Sequence, residues 1–248
     1  TVYNPVLRCI MHRPLFRLRG MVFPPRFSRS YPWFFHLFFH TFFCAVLRQV
    51  GCCSDKKDYL CLMKKERVMR KLTVEELCRM DVRQFKAAKK VPLVVVLDNV
   101  RSQHNVGSVF RTADAFRLRG LCLCGLTGCP PSAEMHKTAL GAEEAVDWRY
   151  FDDTLDAVRW LKAEGYTVLA VEQVEGSRSL AEAPFEPGRP YALVLGHEVL
   201  GVRQDVVDAC DGAVEIPQYG TKHSLNVSVS AGIVLWEAVR NLKIGGEE

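Results

Sequence analysis

Residues 215–241, EIPQYGTKHSLNVSVSAGIVLWEAVRN, decide how the rest of the chain is read. A short strand gives way to a polar loop, and Ser224, Leu225 and Asn226 then arrive at the start of a long helix. Small residues follow at helical intervals (Ser228, Ser230, Ala231, Gly232), so another backbone or a cofactor can lie close against that helix. A loop this rich in hydrogen-bonding groups, held between strand and helix, is where open α/β folds bind ligands. Its chemistry points to a small-molecule or nucleotide site. The plain alternative is a polar loop closed by an ordinary N-cap Ser or Asn.

Working outward, strand and helix patterns alternate from Leu72 onward. Thr73-Val-Glu-Glu76 has capping-box spacing and predicts a helix running to about Lys89. The continuous apolar run PLVVVLD at 92–98 predicts a buried parallel strand. A helix is expected over 105–117, a strand over 120–126, and a short helix from a Ser132 cap to Leu140. Asp152 or Asp153 caps a helix whose apolar face is Leu155, Val158, Trp160 and Leu161. Segments 166–171 and 191–195 read as buried strands, 203–210 as a short helix, 213–216 as the last strand and 226–242 as the final helix. Such alternation predicts a mainly parallel sheet with helices on both faces.

Three strand-following loops carry chemistry. In the first, Asn105 sits at a helix N-terminus, Gly107 admits close approach of another group, and Arg111 follows six residues later. Arg111 either grips a phosphate or ribose with its planar fork or pairs with Asp114 one turn on. In the second, Gly196 permits a turn and Glu198 presents a carboxylate at the strand's end. The third is the opening stretch, with Ile216, Ser224, Leu225 and Asn226. No GxGxxG follows a predicted strand, Gly220–Ser224 lacks P-loop spacing, and no GxSxG elbow is present. His197 and His223 have no visible pairing and read as surface or hydrogen-bonded loop residues. Cys122, Cys124, Cys129 and His136 come nearest to a metal set. Cys122 and Cys124 alternate on one strand face, however, so core packing is the reading and no metal is expected.

The chain has 248 residues, enough for one domain or two small ones, and its net charge of +5 is unevenly placed. Residues 1–68 hold 12 Lys/Arg against 3 Asp/Glu, and residues 69–248 hold 21 against 25. Any nucleic-acid site beyond the leader is therefore a local patch, not a global field. Arg101, Lys137 and Lys222, with Lys89 and Lys90, are its candidates; the bland reading of each is a solvated charge. The leader carries 9 of the 14 Phe and an 18-residue run at 30–47 without Asp, Glu, Lys or Arg. Residues 1–68 are expected to be disordered or no part of the native protein, with residues 1–62 as upstream translation ahead of Met63 or Met69. A single membrane anchor is the competing reading. Scattered free thiols suit a reducing cytosol, and a cytoplasmic location is expected.

Together the three segments resemble the SpoU (TrmH-like) branch of the SPOUT class of S-adenosylmethionine-dependent RNA methyltransferases. That family carries an Asn-rich motif ending in Arg, then LGxExxG, then IP…SLNVSV. Here they are NVRSQHNVGSVFRTADAF from Asn99, LGHEVLG from Leu195 and IPQYGTKHSLNVSV from Ile216, in order. The similarity covers about 69–242 and leaves the leader outside. His197 departs from the pattern, relatives usually carrying Asn there, which puts a side-chain hydrogen bond in question.

The resemblance implies an α/β fold with a C-terminal deep trefoil knot and a homodimer. It implies that the backbone around Leu195, Gly196, Ile216 and Leu225 wraps S-adenosylmethionine, with Ser224 and Asn226 completing the site. Asn105, Arg111 and Glu198 then line the catalytic cleft, with Arg111 either general base or phosphate anchor. The implied reaction is methyl transfer to a ribose 2′-hydroxyl, in transfer RNA ahead of ribosomal RNA since no appended RNA-binding domain is evident. A non-catalytic RNA-binding dimer of the same fold is the rival.

Overall fold

The computed structural model describes residues 69–183 and 185–242. The expectations for the leader, anchor included, lie outside the described residues. Among the described residues, those from Thr73 to Leu242 belong to one compact unit. After α1 (Val82–Ala87) come β1 (Val91–Asp98), α2 (Gln103–Ala115), β2 (Leu118–Cys124), α3 (Ala133–Ala139), α4 (Ala142–Ala145) and β3 (Trp148–Phe151). Then follow α5 (Thr154–Ala163), β4 (Thr167–Val171), β5 (Arg178–Ser179), a 3-10 turn (Leu180–Glu182), β6 (Tyr191–Leu195), α6 (Gln204–Ala209), β7 (Gly212–Glu215) and α7 (Val227–Leu242). The strands form one sheet in the order β3-β2-β1-β6-β4-β7-β5. Every pairing is parallel, as the alternation of elements predicts.

Alternation along each strand sorts the core into two layers. Leu93, Val95 and Leu97 of β1 join Leu121, Leu123, Leu193 and Leu195 under α2, α3 and α7. Val94 and Val96 join Cys122, Cys124 and Val194 on the other face, under α5 and α6. Both faces are thus covered, which is why these strands are apolar without interruption. The two strand cysteines are core residues, and burial pushes the Cys122 thiol up to about 12. It is a neutral small hydrophobe, not a thiolate ligand.

Asp98, fully buried at the end of β1, joins three elements. Its Oδ1 accepts from the Thr154 hydroxyl at 2.5 Å and its Oδ2 from the Arg203 N–H at 3.1 Å. The starts of α5 and α6 are thereby tied to the middle of the sheet.

The expected helix from 73 to 89 is corrected. The Thr73–Glu76 capping box forms, with Thr73 N–H donating to Glu76 at 2.8 Å, but it opens a single turn. Cys78 then takes a φ of 45°, and a second box, Asp81 with Gln84, opens α1. The reason lies in packing. Val74, Leu77 and Met80 remain 76%, 42% and 50% exposed, and a helix without a buried face has little to hold it. The edge strand β3, exposed along most of its length, and the short α4 and β5 have no counterpart in the sequence reading. Among the described residues no helix is long and apolar enough to cross a membrane.

Candidate active site

Because all strands run the same way, the loops after β1, β4, β6 and β7 emerge at one end of the sheet. Glu198, after β6, anchors the arrangement. Its carboxylate accepts from the backbone N–H of Ser102 at 3.0 Å and of Arg101 at 3.2 Å, and from Asn105 Nδ2 at 3.0 Å. Burial alone pushes the carboxyl up, but hydrogen bonds from Ser102, its own backbone, Asn105 and Arg101 outweigh it and hold the pKa below the usual range. Glu198 is therefore an ionised acceptor that positions the start of α2, not a poised proton carrier.

The same network continues across the fold. With Nδ2 turned to Glu198, Asn105 presents its Oδ1 to Asn226 Nδ2 at 3.2 Å. Asn226 Oδ1 accepts from Ser228 N–H at 2.9 Å and caps α7. One relay thus joins residues from all three sequence motifs. Glu198 and Asn105 stand 93 positions apart, Asn105 and Asn226 121 apart.

Beside the relay lies a cleft of about 320 Å3. All five expected cofactor contacts, Leu195, Gly196, Ile216, Ser224 and Leu225, line it, as does Glu198. A second cleft of about 550 Å3 has Asp98, Asn99, Arg101, Leu126 and Arg203 on its walls. His197, Leu200 and Gly201 line both, so the loop after β6 is a partition between them. Gly196 is required by the chain itself: an added Cβ lands 2.1 Å from the Gly201 carbonyl carbon. Gly107 likewise admits α3, where a Cβ meets the Met135 carbonyl oxygen at 2.4 Å.

Two neighbours of the first cleft escaped the sequence reading. Glu172 Oε2 accepts from Val202 N–H at 3.0 Å, and Gln173 Nε2 donates to the His223 carbonyl at 2.9 Å. They brace the partition and the β7 loop from the end of β4. The signal was available, since the rule applied to the other strand ends covers β4 as well.

Arg111 is exposed on α2 and lines neither cleft. Six residues of helix turn it about 120° from Asn105. Among the described residues its guanidinium makes no hydrogen bond or ion pair, so the alternative pairing with Asp114 does not form. Arg101 and Lys222 are exposed. Lys137 pairs with Glu134 at 2.6 Å. Lys90 leaves the set of surface cations: its ammonium sits 3.2 Å from the centroid of Phe85 and, with burial foremost, its pKa is lowered.

Residues 92–236 match the model of the SpoU rRNA Methylase family. The chain is 36% identical over 154 residues to the tRNA (guanosine(18)-2'-O)-methyltransferase of Thermus thermophilus, covering 62% of this chain and 77% of that protein. It is 32% identical over 173 residues to a 23S rRNA (guanosine-2'-O-)-methyltransferase of Vibrio parahaemolyticus, covering 70% and 69%. An AdoMet-bound rRNA methyltransferase from Sinorhizobium meliloti has the same fold, with a TM-score of 0.58 and 32% identity over 62% of this chain and 58% of that one.

Proposed function

The chain belongs to the SpoU rRNA Methylase family, and on that premise we propose that it transfers the methyl group of S-adenosylmethionine to a ribose 2′-hydroxyl of RNA, with transfer RNA as substrate. The observation that carries this reading is the relay from Glu198 through Asn105 to Asn226, formed beside a cleft lined by Leu195, Gly196, Ile216, Ser224 and Leu225. That cleft falls in the size range of small-molecule sites. Its lining is mixed: Val171, Leu195, Ile216 and Val227 offer apolar contact to an adenosyl group, while Gln218, Ser224 and the loop backbone offer polar contacts.

When bound, S-adenosylmethionine supplies a methyl group already activated on a sulfonium, so the work left to the protein is alignment and proton removal. The relay fixes the geometry of three loops before any ligand arrives. Arg111 anchors an RNA phosphate and stabilises charge near the reacting hydroxyl, a role suited to a guanidinium without an internal partner. Arginine holds its proton too tightly to be an efficient base. Arg101 and Lys222 extend the contact with RNA.

Three finer features belong to the same reading. Membership of the family supports a deep trefoil knot in the C-terminal segment. The protein is a homodimer. Val229, Ile233 and Trp236, 51%, 38% and 58% exposed, make an apolar stripe at helical spacing on α7 that suits a second copy. The enzyme works in the cytoplasm.

The test is transfer of labelled methyl from S-adenosylmethionine to unmodified transfer RNA and ribosomal RNA offered in parallel, with Arg111→Ala as control. Label is expected in transfer RNA ribose, and Arg111→Ala loses it while still binding cofactor. Label in ribosomal RNA alone moves the substrate to the Vibrio-like and Sinorhizobium-like case. Cofactor binding with undiminished transfer by Arg111→Ala removes that residue from the site.

A further inference from the structure

The partition between the two clefts is a five-residue loop closed on itself. His197 N–H donates to the Gly201 carbonyl at 3.0 Å, and Gly201 N–H donates back to the His197 carbonyl at 2.9 Å. Inside this ring the tip residues Val199 and Leu200 are 84% and 81% exposed. Packing does not fix two aliphatic side chains left in solvent, so their position depends on the backbone beneath them. The two tip N–H groups are held by the side chain of His197. His197 Nδ1 accepts from Val199 N–H at 3.0 Å and from Leu200 N–H at 3.3 Å.

This is the geometry by which an Asn or Asp side chain closes a turn on the N–H groups two and three residues ahead. Here a ring nitrogen takes the place that an amide oxygen would have in such a turn. The two acceptors differ in one respect. An amide oxygen accepts at any pH, whereas Nδ1 accepts only while imidazole is neutral and carries its proton on Nε2. Imidazolium offers a donor where the loop presents two more donors.

We propose that His197 is a positioning residue that shapes both clefts as the neutral Nε2–H tautomer, and that its protonation unlatches loop 197–201 and weakens cofactor binding. The inference rests on the reading of the first cleft as the S-adenosylmethionine site. Across the first cleft the imidazole shares walls with Glu172, Glu198, Glu215 and His223. Across the second it faces Asp98, Arg101 and Arg203. His223 is a second imidazole on the wall of the first cleft, so a pH effect is assigned to His197 only as a difference between wild type and a variant that retains His223.

The experiment uses the full chain and two readouts. Nitrogen-15 NMR of labelled imidazole, at about pH 8, is expected to show an unprotonated Nδ1 for His197; acid is expected to shift the Val199 and Leu200 amides together with that ring. Calorimetry with S-adenosylmethionine then follows affinity from about pH 8 to about pH 5.5, the range over which imidazoles titrate. Wild type is expected to lose about tenfold in affinity relative to His197→Asn, the measure of one lost latch. His197→Asn retains an acceptor and lacks that acid limb, and His197→Ala binds weakly at every pH. A protonated Nδ1 at high pH, or equal pH dependence in wild type and His197→Asn, overturns the proposal. If no variant binds S-adenosylmethionine, the reading of the cleft fails, and the ring and amide signals still decide the latch by themselves.

Discussion

The loops after β6 and β7 form opposite walls of the same cleft and are built in opposite ways. The β6 loop is braced from every side: by its own two backbone bonds, by His197 within, by Glu172 beneath Val202, and by Glu198 reaching to α2. The β7 loop is held near the end that enters α7. Gln173 catches the His223 carbonyl and Asn226 caps α7, but Tyr219 is 96% exposed and an added Cβ at Gly220 meets nothing within 4 Å. The difference separates two tasks. One wall is preorganised, which lowers the ordering penalty when ligand binds. The other has few contacts to lose, as a segment that rearranges around a ligand must.

Gly196→Ala is the strongest way to break that comparison. Its Cβ overlaps the Gly201 carbonyl carbon at 2.1 Å and Val202 nitrogen at 2.2 Å, and backbone atoms cannot swing aside as a side-chain tip can. Overpacking of this kind is expected to remove about 2–3 kcal/mol of stability and about a hundredfold in cofactor affinity. Denaturant unfolding and calorimetry check the two losses.

Glu198→Gln tests the anchor rather than the turn. The amide presents a donor toward one of three N–H groups, and about 2 kcal/mol of stability is expected to go at neutral pH. Glu198 is the depressed-pKa case, so its contribution is present above the unfolded value of about 4.3 and fades as pH falls through the lower folded value. The gap between wild type and variant should therefore narrow below about pH 4. Unfolding curves at neutral and acid pH measure it, and a gap that is constant or widens in acid contradicts the anchoring role.

These contrasts also explain what the sequence made legible. PLVVVLD was readable as a central strand because burial on both faces demands an unbroken apolar run, and the structure buries it so. Ser132 and Asp153 were readable as caps because a cap is a local contact. The segment from Thr73 was misread for the complementary reason: its capping box is local and real, but continuation of a helix depends on a face to bury. Glu172 and Gln173 stand at a strand end that the sequence marks, but what they brace lies 30 and 50 positions away, at separations no local spacing encodes. The residues of the candidate site were named from whole motifs. What the motifs withheld was their division of labour, with Glu198 holding backbone and Asn105 passing the contact on to Asn226.

Gly220→Ala carries the smallest expected effect and sharpens the comparison most. In the free chain its Cβ enters open space, and Gly220 has no left-handed φ for an alanine to violate. Stability is expected to move by less than about 0.5 kcal/mol. Affinity obeys a different rule, since ligand selects whatever loop conformation closes on it. A threefold or greater fall in S-adenosylmethionine affinity at unchanged stability would mean that this loop makes its contacts only in the bound state. A stability loss above about 1 kcal/mol would instead mean that the β7 loop is already packed before ligand arrives, and the distinction between a braced wall and a closing one would not stand.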